Sequence, residues 1–151
     1  MVKKFLLVDD DVDDTGLFRE ALHEIDPGII CYVDHNGRAA LDKLKRNEYL
    51  TPDIIFIDIN MPGMNGWQCL EELKKDHRFR DIPVIIYSTS SYIGDAERAI
   101  EQGALCFFTK PSDYNFLKDI LKTIADNLGG NIADKINSFN GITAKKMIYC
   151  S

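Results

Sequence analysis

The chain has 151 residues, 45% of them apolar, which suits one domain with a core of its own. Its formal charge is −6, from 24 acidic against 18 basic side chains. That balance argues against a broad nucleic-acid interface and favours encounters with basic protein surfaces.

In chain order, short and nearly continuous apolar runs alternate with stretches of helical period. Residues 5–8 (FLLV) read as a strand, too short for a secretory leader or a membrane span. Five aspartates fill five of the next six positions, Asp9, Asp10, Asp11, Asp13 and Asp14. A helix is predicted over 13–25, with Leu17, Ala21, Leu22 and Ile25 on its inner face. The second strand, 29–33 (IICYV), runs into the turn residues Asp34-His35-Asn36-Gly37 and a helix over 37–47 carrying Ala40, Leu41 and Leu44. The third, 53–57 (DIIFI), is followed by Asp58-Ile59-Asn60-Met61-Pro62-Gly63 and a helix over 66–75 with Leu70 and Leu73 inward. The fourth, 83–87 (PVIIY), ends in Ser88-Thr89-Ser90 before a helix over 93–102 with Ile93, Ala96, Ala99 and Ile100. The fifth, 104–108 (ALCFF), ends in Thr109-Lys110-Pro111 before a helix over 113–128 built on Phe116, Leu117, Ile120, Leu121, Ile124 and Leu128.

Strands this apolar are buried on both faces. Five strand–helix units therefore predict an α/β fold, a doubly wound (βα)5 three-layer sandwich whose parallel sheet has the order 2-1-3-4-5. In such a sheet functional groups gather beyond the carboxyl ends of the strands, near the point where strand order reverses. Asp9, Asp10 and Asp58 then meet at one corner, with Ser88 and Lys110 closing it. Taken singly, each signal has a plainer reading: aspartates before a helix cap it and complement its dipole, the expected role of Asp11, Asp13 and Asp14, and Lys-Pro after a strand is a turn. Their convergence at several strand ends is harder to explain that way. Two carboxylates about 4 Å apart repel by roughly 4 kcal/mol at an effective dielectric near 20. Converging carboxylates form a hard oxygen site suited to Mg²⁺, which relieves that repulsion. A carboxylate is also a nucleophile toward phosphorus, and a lysine beside it neutralises phosphoryl oxygens.

The chain resembles a stand-alone, chemotaxis-type response-regulator receiver domain of two-component signal transduction, with a flavodoxin-like fold. The residues that carry the resemblance are Val8-Asp9-Asp10, Asp58-Ile59-Asn60-Met61-Pro62-Gly63-Met64-Asn65-Gly66, Ser88-Thr89 and Lys110-Pro111, across residues 3–128. It implies a phosphorelay regulator rather than an enzyme with an external substrate. Asp58 would accept phosphoryl from a phosphohistidine on a sensor histidine kinase or a histidine phosphotransfer protein. Asp9, Asp10, Asp58 and the backbone carbonyl of Asn60 would hold Mg²⁺. Ser88, Thr89 and Lys110 would serve the phosphoryl group, and Ser88 with Phe107 would form the switch. Phe107 stands where the family often has tyrosine, so it offers packing without a hydroxyl. The Lys110–Pro111 bond is expected cis. Output would pass through the face of helix 4, strand 5 and helix 5 to an unnamed protein, with no nucleic acid or membrane as partner.

The expected division is a receiver over 1–128 and a short extension over 129–151, with no separate output domain. In the extension Ile132, Ile136 and Phe139 share helical spacing, and Met147, Ile148 and Tyr149 form a second apolar group. These suit a segment packed on the domain or a self-association surface, a homodimer included. Of the four cysteines, Cys31, Cys69 and Cys106 read as small core residues, Cys150 lies apart, and no CxxC occurs; a reducing cytoplasm fits. Two other readings stay open: a haloacid-dehalogenase-like phosphatase through the string Asp11-Val12-Asp13-Asp14-Thr15, and a pseudo-receiver that binds without being phosphorylated.

Overall fold

The structure, a computed structural model, describes residues 1–138 and 147–150. Strands β1 (Lys4–Val8), β2 (Ile30–Asp34), β3 (Ile54–Ile57), β4 (Val84–Ser88) and β5 (Cys106–Thr109) alternate with helices α1 (Val12–Ile25), α2 (Gly37–Lys45), α3 (Gly66–Lys75), α4 (Ile93–Glu101) and α5 (Tyr114–Asp126). The first five strands lie parallel in the expected order β2-β1-β3-β4-β5. Each helix lands within three residues of its expected ends, because the apolar repeat sets it and, in all but α4, a side-chain cap fixes its start. Asn36 caps α2 by accepting from Ala39 N at 3.1 Å, and Asn65 and Gln68 form a reciprocal capping box on α3.

The period-2 alternation of the strands divides the core between the two faces of the sheet. Leu6, Val8, Ile55, Ile57, Ile86 and Phe107 point toward α2, α3 and α4, meeting Leu41, Leu70, Leu73 and Ala99. Phe5, Leu7, Phe56, Ile85, Tyr87 and Phe108 point the other way, onto Phe18 and Leu22 of α1 and Leu117, Ile120 and Ile124 of α5. A chain of aromatic contacts runs through this second layer, edge-on for Phe56–Phe18 and Phe18–Tyr87 and tilted for Tyr87–Phe108. With both faces covered, the strand ends are where polar groups of the sheet can reach water.

Four expectations need correction. The sheet is mixed and six-stranded: beyond α5 a short helix, α6 (Ile132–Asn137), precedes β6 (Ile148–Cys150), which pairs antiparallel with β5. Ile132 and Ile136 are buried against the α1/α5 layer, whereas Phe139 lies outside the described residues. Secondly, the Lys110–Pro111 bond is trans. Trans is the lower-energy form of an X–Pro bond by about 0.5–1 kcal/mol, and here the chain reaches the Asp113 cap of α5 without the isomer. Thirdly, Cys106 is not a free core cysteine; it is disulfide-bonded to Cys150. Its neighbour across the ladder could not be known while β6 was unrecognised. Finally, Leu17 is 49% exposed and Phe18 takes the inner position, because the buried stripe runs through Thr15, Phe18, Ala21 and Leu22. Ile93 likewise faces solvent at the start of α4.

Candidate functional site

Parallel pairing sets the ends of neighbouring strands level. Val8 lies opposite Ile57, and Ser88 opposite Thr109, so the next residues along β1, β3 and β5 are Asp9, Asp58 and Lys110. The backbone holds them there. Asp58 N donates to Val8 O at 2.9 Å, Asp9 N to Asp34 O at 2.9 Å, and Lys110 N to Ser88 O at 2.6 Å. One carboxylate oxygen from each of Asp9, Asp10 and Asp58 falls within a mutual distance of 4.8 Å. Asp9 and Asp58 are buried, and Asp10 faces outward.

Lys110 reaches in from the opposite side. Its Nζ lies 2.8 Å from Asp9 Oδ2, 2.8 Å from Asp14 Oδ2 and 3.9 Å from Asp58 Oδ1. Burial alone would lower the lysine's pKa, but its bonds to Asp14 and Asp9 outweigh burial and hold it above the ordinary value. Burial raises Asp9 and pushes Asp58 up to about 6, with Lys110 pulling Asp58 down and Asp9 and Asp10 pushing it further up. Among the described residues, one cation among four carboxylates leaves the corner short of positive charge. The donor set is all oxygen, partly open through Asp10, and repulsive as it stands, which fits a hard divalent cation.

The remaining expected residues fall around this corner unevenly. Ser88 is fully buried, and its Oγ accepts from Ser90 N at 3.1 Å, which among the described residues leaves its own proton free to donate. Thr89 is exposed, as is Asn60 in the segment between β3 and α3. Phe107 is 2% exposed and packs on the α4 side of β5. Asp11 caps α1, accepting from Asp14 N at 3.0 Å. It caps the helix and lies outside the cluster of Asp9, Asp10 and Asp58, which gives the phosphatase reading no support.

Two contributors were not anticipated. Asp14, expected only to complement the dipole of α1, binds Lys110. It stands in the first turn of α1, and nothing in its local sequence pairs it with a lysine 96 residues further on. His35, expected to be a plain turn residue, sets its Nδ1 2.9 Å from Asp9 O. Nothing local in the sequence signalled that contact, which depends on β1–β2 pairing.

Residues 5–122 match the family model described as the response regulator receiver domain. The chain belongs to the response-regulator receiver family. This receiver is 34% identical over 128 residues to the two-component response regulator ARR6 of Arabidopsis thaliana, a match covering 76% of this chain and 69% of that protein. It is 31% identical over 117 residues to the sensor histidine kinase CheAY of Helicobacter pylori, covering 78% of this chain but 14% of the kinase. It also spans 34% and 29% of two longer relatives, protein-glutamate methylesterases of Desulfotalea psychrophila and Treponema pallidum. Among solved structures, the phosphorylated cyanobacterial phytochrome response regulator RcpA superposes with a TM-score of 0.76 at 29% identity, covering 83% of this receiver and 93% of that chain. The Mn²⁺-bound form of response regulator Rcp1 does so with a TM-score of 0.72 at 26% identity, covering 82% and 92%. The flavodoxin-like receiver fold is thus shared over nearly the whole of those chains.

Proposed function

We propose that this receiver takes a phosphoryl group onto Asp58 from a phosphohistidine donor, a histidine kinase or phosphotransfer protein, and signals through contacts with a further protein. The observation that carries the reading is the Asp58 carboxyl itself. It is 6% exposed, held level with Asp9, and within ion-pair reach of Lys110. The receiver would comprise 1–128 with 129–151 as an extension, working in the cytoplasm. Among the described residues no helix is long and apolar enough to cross a membrane.

The chemistry follows from the groups present. An ionised Asp58 oxygen attacks phosphorus, a P–O bond forms, and the P–N bond of the donor breaks with its electron pair going to the imidazole nitrogen. Lys110 Nζ exchanges its hold on Asp9 or Asp14 for a phosphoryl oxygen, and the free Ser88 proton donates to another. Thr89 borders the route by which donors and water approach. Asp9, Asp10, Asp58 and the Asn60 carbonyl would hold Mg²⁺, which when bound neutralises charge developing on the phosphoryl oxygens. RcpA, solved as a phosphorylated protein, and Rcp1, solved with Mn²⁺, lend support by likeness. Phe107 would respond by repacking alone.

The test is an intact-mass measurement after incubation with a phosphohistidine donor and Mg²⁺. One phosphoryl adduct, mapped to the peptide holding Asp58, is the expected result; an unmodified protein would favour the pseudo-receiver.

Two dependences follow. Mg²⁺ affinity falls as pH drops through about 6, by roughly tenfold per unit below it, because the carboxyls must lose protons to bind. Titration calorimetry at pH 7.5 and 5 would measure this. Removing the lysine by Lys110→Ala leaves Asp9, which is fully buried, without its cation. The Mg²⁺-free protein should lose about 3 kcal/mol, and Mg²⁺ should restore most of it. Urea denaturation with and without Mg²⁺ would decide; an equal loss in both conditions would mean the two cations do not substitute for one another.

A further inference from the structure

The disulfide lies outside the acidic corner but on the strand that leads into it. Cys106 and Cys150 stand directly opposite in the β5–β6 ladder, 44 residues apart in sequence. We propose that this pair is a site of reversible thiol–disulfide exchange, and that its redox state decides whether β6 covers the outer edge of β5.

Several observations support a latch rather than a fixed staple. β6 has only three residues, is the outermost strand, and has no strand partner on its other side among the described residues. So short an edge strand contributes little by its own ladder, and the disulfide adds a covalent tie to the burial of Ile148. Both cysteines are buried, Cys106 fully and Cys150 to 9% exposure, so Cys150 is the residue of the pair nearer to solvent. The other two cysteines do not compete: burial pushes the thiols of Cys31 and Cys69 up to about 11 and about 12. In the cytoplasm proposed above, a protein disulfide is typically transient and redox-sensing.

The exchange balances with a dithiol as reductant. One of its thiolates bonds to Cys150 Sγ, the protein S–S bond breaks, and Cys106 leaves as a thiolate that takes a proton. The second dithiol thiolate bonds to the first sulfur of the reductant, and Cys150 is released and protonated in turn. The protein gains two electrons, and the dithiol becomes a disulfide.

What β6 covers gives the exchange its consequence. Ile148 lies opposite Phe108 and is buried in the α1/α5 layer; Tyr149 lies opposite Phe107. On that side Phe107, Thr109 and Ala96 line a small cleft with Tyr92, Ile93 and Tyr149. Tyr92 and Ile93 are 68% and 56% exposed, so release of β6 enlarges an apolar surface already present. It also frees the N–H and C=O groups along one side of β5. That strand continues into Lys110, whose amide donates to Ser88 O. The redox-controlled edge and the acidic corner are thus two ends of one four-residue strand.

The experiment needs no phosphoryl donor, so its result is independent of the Asp58 reading. The full chain, air-oxidised, is incubated natively with or without dithiothreitol, then denatured and alkylated. Two alkyl groups without dithiol, on the free Cys31 and Cys69, and four with it are expected. Hydrogen exchange should then speed up by about tenfold or more in residues 147–150 and along β5, both in the reduced wild type and in Cys150→Ser, with β1 and β3 unchanged. A disulfide that yields only after global unfolding would overturn the proposal. So would β6 amides that keep their protection once the bond is gone, four alkyl groups in the oxidised protein, or a disulfide that links two chains.

Discussion

Asp58→Asn should abolish phosphoryl acceptance completely, and in the Mg²⁺-free protein it should also raise stability. The first effect is chemical: the amide lacks the anionic oxygen that attacks phosphorus. The second follows from the electrostatics of the corner. Burial, with Asp9 and Asp10 close by, pushes Asp58 from 3.8 up to about 6 despite Lys110. A raised carboxyl pKa means that the fold binds the proton more tightly than the unfolded chain does. The penalty is therefore present above about pH 6 and is relieved as pH falls toward 4. With some screening allowed, it is about 2 kcal/mol at pH 7.5, and the variant should recover that amount. Wild type should gain stability on acidification from pH 7.5 to 5 in the absence of Mg²⁺, and the variant should gain much less. Intact mass with acetyl phosphate and Mg²⁺ reads the first effect, and urea midpoints at the two pH values read the second. An adduct persisting on the variant would move the acceptor elsewhere.

Gly66→Ala should be the most damaging single-methyl change near the site. Gly66 opens α3, and its amide donates to Ile59 O at 2.9 Å, so the helix start is drawn against the end of β3. A Cβ there would overlap the Asp58 carbonyl oxygen and lie 2.8 Å from Ile59 Cα and 2.9 Å from the Asp58 carbonyl carbon. The atoms in the way are backbone, which cannot swing aside as a side chain can. Relief requires moving the Asp58 peptide or the helix. The expected cost is about 3 kcal/mol, with phosphoryl acceptance slowed because the acceptor shifts with its peptide. Gly63→Ala is the control. Gly63 has φ of +73° with nothing within 4 Å of an added Cβ, so only the backbone preference is lost, about 1 kcal/mol. Urea denaturation of both variants separates the cases; equal small losses would mean that α3 does not press on Asp58 as described.

The alternation of two apolar periods sufficed to place five strands, five helices and their order, because both faces of a parallel sheet must be covered and crossovers are right-handed. It also sufficed to bring Asp9, Asp10, Asp58, Ser88 and Lys110 to one end of the sheet, since side chains just past a strand follow its direction. Three things depended on packing that no local pattern reports. Asp14 reaches Lys110 across 96 residues of sequence, and His35 reaches the backbone of Asp9 across the β1–β2 pair. Both contacts exist only once separate elements are docked. The trans Lys110–Pro111 bond is another such case, because an isomer whose alternatives differ by about 1 kcal/mol is chosen by where the chain must go next.

Residues 147–150 mark the same boundary most clearly. Four residues with one apolar cluster are too short for periodicity to separate strand from fray, and Cys106 read alone is an ordinary core residue. Only the docking of β6 on the open edge of β5 brings Cys150 opposite Cys106. Local composition decided which segments would be strands and helices and which strand ends would carry charge. Long-range pairing decided which charges share a cation and which thiols share a bond, because those energies depend on distances that only the assembled fold defines.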